Sequence, residues 1–217
     1  MSNEGNKPMS GMDPQYLTCA RTAKFVRQAL KESFPGAKFY VNSHTYSGGA
    51  SIRVRWVDGP STMQVKKITA RFAGSYFDGS IDYQGRNFHS MDGRPVLFGA
   101  NFVFTDREYS DAAISIARRQ VMRDLMEEEF LDMPGGVAAF KSGHLYNVPV
   151  GDGAGWDMHW NLQSQVNMLL AERSDRSNIH PSPTLSRVQF TGDDGYGQNT
   201  VGPNFTGGGL CHSSARK

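Results

Sequence analysis

Cysteine is scarce in this 217-residue chain: Cys19 and Cys211 stand near opposite ends. Apart from the adjacent Cys211–His212, neither has a second Cys or His at ligand spacing, so no zinc-binding pattern is present and no metal site is expected. One bridge between them is possible but nothing demands it, and two free thiols in a reducing compartment are the expectation. Long hydrophobic runs are also missing. No stretch of about 18 apolar residues exists, which excludes a membrane-spanning helix, and no membrane partner is expected. The opening MSNEGNKPMSGMD lacks the apolar core of a secretory leader, so a cytoplasmic location is expected. Catalytic signatures are absent too: there is no G-x-S-x-G elbow, no H-E-x-x-H and no phosphate loop. Ser47-Gly48-Gly49 reads as a hairpin turn; Gly151–Gly155 and Gly207–Gly209 read as loops. No cofactor is implied.

Hydrophobic periodicity is what the sequence does supply. Thr18 caps an expected helix from Cys19 to about Ser33, where Ala23, Val26 and Leu30 recur at helical spacing and Phe34-Pro35-Gly36 stops the chain. Lys38–Tyr46 and Ala50–Val57 alternate as two strands joined by the Ser47–Gly49 turn, with Ile52, Val54 and Trp56 expected inside and Arg53 and Arg55 outside. Ser61 followed by Gln64 is a capping box for a second helix bearing Val65, Ile68 and Phe72, which Gly74 ends. Phe77–Tyr83 reads as a short strand, Gln84–Pro95 as a polar loop and Val96–Phe104 as a further strand. Ser110 caps a long helix expected from Asp111 to Phe130.

The expected fold class is therefore α+β: an antiparallel sheet with helices packed on one face, in the order α-β-β-α-β-β-α, followed by a mostly irregular C-terminal extension. The domain reading is a disordered lead over 1–15, a body over 16–133, an extension over 134–173 with one short helix near Trp160–Arg173, and a flexible tail over 174–217. Met133-Pro134-Gly135-Gly136 marks the boundary. In the extension, Tyr146, Trp156 and Trp160 suit a flap folded over the body or an interface.

Charge is unevenly spread. Tyr16–Arg123 holds 16 Lys and Arg against 8 Asp and Glu, whereas Asp124, Glu127, Glu128, Glu129 and Asp132 crowd five acids into nine residues. The formal net charge of +2 conceals this dipole. The candidate partner-binding or nucleic-acid-binding residues are Arg53, Arg55, Tyr40 and His44 on the open sheet face, Lys66, Lys67 and Arg71 on the second helix, and Arg21, Lys24 and Arg27 on the first. Cations would neutralise phosphates and aromatics would stack unpaired bases. An ordinary solvated surface explains the same charges. His89 with Asp92 and Asp157 with His159 have residue types suited to metal binding or acid–base work, but neither pair has a third partner at fixed spacing, and no metal ligand or catalytic residue is assigned.

Four segments carry a family resemblance: Ala37-Lys38-Phe39, Tyr46–Ile52 (YSGGASI), Val54–Pro60 (VRWVDGP) and Phe77-Asp78-Gly79, with the later FGANFVFTDREYS in keeping. Over about residues 16–130 the chain resembles the large polyvalent protein-associated domain 29. That resemblance implies a protein carried by phages, plasmids and other mobile elements, acting in the host bacterial cytoplasm. It implies an accessory role, such as counter-defence of an anti-restriction or anti-CRISPR kind, exerted by binding a host protein or nucleoprotein complex. Direct DNA or RNA binding is the alternative, and an enzyme using the His and Asp loop residues a third. The resemblance brings no catalytic residues. A free-standing accessory factor is the expectation.

Overall fold

The computed structural model describes residues 13–125, 136–150, 160–176 and 178–196. A short strand, β1 (Gln15–Thr18), precedes the first helix, α1 (Cys19–Ser33). Thr18 caps it as expected, accepting from the Arg21 amide at 3.3 Å. The hairpin β2 (Phe39–Tyr46) and β3 (Gly49–Val57) follows, turning at Gly48 with φ +93°, a value that favours glycine. Next comes α2 (Thr62–Thr69), started by the reciprocal Ser61–Gln64 box, and a single 3-10 turn (Ala70–Phe72).

The expected polar loop over Gln84–Pro95 is instead most of a hairpin. After β4 (Ser75–Asp78), β5 (Tyr83–Met91) and β6 (Arg94–Gly99) turn at Asp92-Gly93, both at positive φ. The single strand expected over Val96–Phe104 is broken at Ala100-Asn101, beyond which β7 (Phe102–Glu108) begins. Hydrogen bonding explains the break. Ala100 O accepts from Gly74 N at 2.8 Å, while Asn101 N donates to Ala50 O at 2.7 Å and its side-chain Oδ1 accepts from Ala50 N at 3.0 Å. Asn101 thus hands the chain from one sheet to the other. Gly74 is needed at this crossing, because a Cβ there would lie 2.3 Å from Phe98 O.

The fold is α+β, but with two mixed sheets rather than one antiparallel sheet. One has the order β1-β6-β5-β4; the other has the order β2-β3-β7. β1 pairs with β6 in parallel and β3 pairs with β7 in parallel, because a helix-containing crossover, not a hairpin, separates each pair. α1 and α2 cover the inner face of the three-stranded sheet. Val26, Leu30, Val65 and Phe72 from this layer meet Ile52, Val54 and Trp56 in one core that also takes in Phe98 of β6. Trp56 is 1% exposed and donates its indole N–H to Pro60 O at 3.0 Å.

Ser110 caps α3 (Asp111–Leu125) by accepting from Ala113 N at 3.2 Å. The acidic run beyond Leu125 and the Met133–Gly135 boundary lie outside the described residues, as do Gly151–Gly155, Trp156, Asp157, His159, Gly207–Gly209, Cys211 and residues 1–12 of the lead. α4 (Val137–Lys141) and α5 (Leu162–Glu172) follow. Leu162, Val166 and Leu170 of α5 pack on Ile114, Ala117 and Val121 of α3 to form a second core.

The expected flexible tail is partly structured. α6 (Pro183–Ser186) and β8 (Val188–Asp193) fold back, and β8 pairs antiparallel with β5. Polar anchors hold this arm where composition predicts none. Glu32 accepts from Ser182 Oγ at 2.6 Å and from Thr184 N at 2.9 Å, Arg187 grips Asp92 through two nitrogens, and Asp194 accepts from Tyr76 and Tyr83 hydroxyls at 2.6 and 3.0 Å. Partial burial opposes ionisation of Glu32, yet the bonds from Ser182, Thr184 and Gln28 hold its pKa at about 2.

Arg107 joins the two cores. Its guanidinium donates to four carbonyls: Asp58 and Gly59 at the β3 turn, and Leu170 and Arg173 at the end of α5. A cation there also meets the negative end of the α5 dipole. Replacing it removes this donor from all four carbonyls at once, and among the described residues only Gly59 O keeps another partner, the Asp175 amide at 3.1 Å. Arg107→Met should therefore cost about 2–3 kcal/mol in chemical unfolding, against less than about 0.5 kcal/mol for the exposed control Arg119→Met. Equal stability of the two variants would show that Arg107 does not join the cores.

Candidate functional site

Alternation in β3 decides the site. With Ile52, Val54 and Trp56 buried, Ser51, Arg53, Arg55 and Val57 must point the other way. Register then fills in the neighbours. Tyr40 lies opposite Arg55, Asn42 opposite Arg53 and His44 opposite Ser51; on the other flank Phe104 lies beside Arg53 and Asp106 beside Arg55. Tyr40, Tyr46 and Phe104 are each about half exposed, at 48%, 52% and 48%. Among the described residues, no helix or strand packs on this face.

Charge across the face is graded. β2 and β3 contain no Asp or Glu, whereas β7 brings Asp106 and Glu108. Arg53 Nε lies 3.4 Å from Asp106 Oδ2. Both side chains are largely in solvent, so the pair contributes less than about 1 kcal/mol and leaves Arg53 free to exchange partners. Lys38 Nζ sits 5.2 Å above the Tyr40 ring, adding a cation–π contact on the β2 side.

The sequence-predicted residues do not form one cluster. Tyr40, His44, Arg53 and Arg55 share the open face. Arg21, Lys24, Lys66, Lys67 and Arg71 are exposed on the helix layer that covers the opposite face. Arg27 falls between them: its Nη2 donates to Val41 O at 2.8 Å, at the edge of β2. Asp106, Glu108 and Phe104 were not anticipated as parts of the face. The signal for them is the break at Asn101, which resets the alternation along β7.

Residues 17–110 match the family model for the large polyvalent protein associated domain 29. The chain carries this domain over those residues. It contains the whole three-stranded sheet and both covering helices, and it ends one residue before α3. The α3–α5 core and β8 lie beyond the matched residues. Neither curated proteins nor solved structures give a significant match.

Several polar groups singled out in the sequence have structural positions in or around the domain. His89 is only 2% exposed, and its ring packs against Phe98 at 5.0 Å and Phe190 of β8 at 5.7 Å. Neither ring nitrogen has a hydrogen-bond partner among the described residues. Asp92, its supposed companion, sits in the β5–β6 turn and binds Arg187. Cys19 is buried against Ser51 O, and burial raises its thiol pKa, the reverse of a reactive cysteine. Among the described residues no group of three His, Cys, Asp or Glu side chains is placed to hold a metal ion, and no helix is long and apolar enough to cross a membrane.

Burial lowers the His89 pKa from 6.5 to about 4. The folded state thus resists protonation that the unfolded chain accepts. Its contribution is intact above pH 6.5 and is lost as pH falls toward 4, by up to about 3 kcal/mol. Unfolding free energies measured across pH 4–7 should fall on acidification in the native protein and fall less in His89→Leu. Parallel pH profiles would contradict this placement of the ring.

Proposed function

We propose that this chain is a non-enzymatic accessory protein of a mobile genetic element, phage or plasmid, that binds a host protein or nucleoprotein complex through the outer face of its three-stranded sheet. Counter-defence in the host cytoplasm is the setting this reading favours. The observation that carries it is the solvent-open arrangement of Tyr40, Tyr46 and Phe104 around Arg53 and Arg55. Tyr and Arg dominate the energetics of protein interfaces, because each offers large contact area together with directed polar groups. A mixed-charge face also suits a protein partner better than a polyanion. Asp106 and Glu108 share the surface, and a phosphate backbone would meet their repulsion beside every contact with Arg53.

Direct nucleic-acid binding remains the second reading, supported by Arg53 and Arg55 standing next to Tyr40. The two readings differ in a simple assay. On the protein-partner reading, single-stranded DNA, duplex DNA and RNA stay unshifted in low-salt gels at protein concentrations of about 10 µM, within the usual range of non-specific binding. Affinity capture from host lysate with the native protein should enrich a partner. Arg53→Glu/Arg55→Glu should reduce that enrichment about tenfold or more, while Lys24→Glu/Lys66→Glu on the helix layer should leave it unchanged. Loss of capture in the helix variant alone would move the site to the opposite face.

A further inference from the structure

Strand β2 is an edge strand. It pairs with β3 on one side, and among the described residues nothing pairs with it on the other. Two contacts fix which backbone groups face outward. Val41 O accepts from Arg27, so it points away from β3. Ala50 O accepts from the Asn101 amide and Ala50 N donates to Asn101 Oδ1, so both backbone groups of Ala50 point away from β2, and Ala50 is the register partner of Thr45. Amide groups alternate along a strand, so Phe39, Val41, Ser43 and Thr45 direct N–H and C=O outward, while Tyr40, Asn42, His44 and Tyr46 bond to β3. Phe39–Tyr46 also contains no proline, no bulge and no charged side chain, the usual means by which an edge is closed to further pairing. Its guard is Arg27, and that guard covers one carbonyl.

The surroundings of this edge are cationic. No acidic residue occurs between Glu32 and Asp58, and Lys38, Arg53, Arg55 and Arg27 all lie on or next to β2. The carboxylates Asp106 and Glu108 are two strands away, on the far side of β3. A second copy of this chain would bring cations toward cations. An extended acidic segment would instead be drawn in.

We propose that the partner contributes an extended, acidic peptide segment that adds as a fourth strand along β2, with its alternate carboxylates on the open face beside Arg53 and Arg55. This rests on the protein-partner reading above and specifies its chemistry. Main-chain hydrogen bonds to Ser43 and Thr45 supply affinity, and alternate acidic side chains supply selectivity.

The probe is a fluorescein-labelled nonapeptide of alternating Glu and Val, with a Lys–Val counterpart. Fluorescence anisotropy should show the Glu–Val peptide binding about tenfold or more tightly than the Lys–Val peptide. Ser43→Pro removes an outward N–H and no bond to β3, and should weaken binding about tenfold; the Ser43 and Thr45 amide resonances of the native protein should shift on titration, which tests the edge without relying on the variant's folding. No Glu–Val binding at about 1 mM, equal binding of the two peptides, or unmoved Ser43 and Thr45 resonances would overturn the proposal. So would an oligothymidine that binds and is lost in Arg53→Ala/Arg55→Ala but not in Ser43→Pro. In lysate capture, a partner lost by Arg53→Glu/Arg55→Glu but kept by Ser43→Pro would remove strand addition and leave the open-face reading standing. A partner kept by both would remove the open-face reading itself.

Discussion

Ile52, Val54 and Trp56 leave water together on one side of β3, and that burial determines where the charges of the sheet can go. Each buried large side chain is worth roughly 1.5–3 kcal/mol, so slipping the strand by one residue would bury two guanidinium groups and expose a tryptophan. The register is therefore strongly held. Because β3 lies between β2 and β7, its alternation propagates to both neighbours: Tyr40 and Asn42 on one side and Phe104 and Asp106 on the other are turned outward by the same constraint. The open face is a by-product of the core in this sense, and its cations are held on a rigid platform, not on loops.

The outward face stays open because the elements that follow the sheet pack elsewhere. α3 and α5 form their own core beyond Ser110, tied to the β3 turn by Arg107. The C-terminal arm runs to the five-stranded sheet, where β8 lies along β5 and covers His89 with Phe190. Glu32, Asp92 and the Tyr76 and Tyr83 hydroxyls hold successive points of that arm. The result is a body closed on its helix side and along β5, with β2 and the outer face of the three-stranded sheet remaining.

What was legible in the sequence was whatever local chemistry decides alone. Thr18 and the Ser61–Gln64 box cap their helices because a hydroxyl or amide three residues from an orphan N–H suffices. The β2–β3 hairpin follows from clean alternation around a turn that tolerates positive φ. Long-range pairing was not legible. Tyr83–Met91 reads as polar because it is a strand whose buried positions depend on β8, about 100 residues later, as well as on its neighbours β4 and β6. The arm over 183–193 reads as tail because its anchors, Glu32, Asp92 and Tyr76, lie about 100 to 150 residues earlier. His89 reads as a chemical group because composition cannot reveal that two phenylalanines enclose it. In the candidate site, Arg53, Arg55, Tyr40 and His44 were legible from the hairpin. The separation of the helix cations onto the other side, and the acids of β7, required the crossover and the turn at Asn101.

Amide hydrogen exchange along β2 in the free protein tests the account most directly. If β3 holds this register and the β2 edge is uncovered, the amides of Tyr40, Asn42 and His44 exchange slowly and those of Ser43 and Thr45 exchange fast, alternating residue by residue. Slow exchange at Ser43 and Thr45 equal to that at Asn42 and His44 would mean that the edge is already occupied. That result would contradict the open face and edge on which the binding role depends.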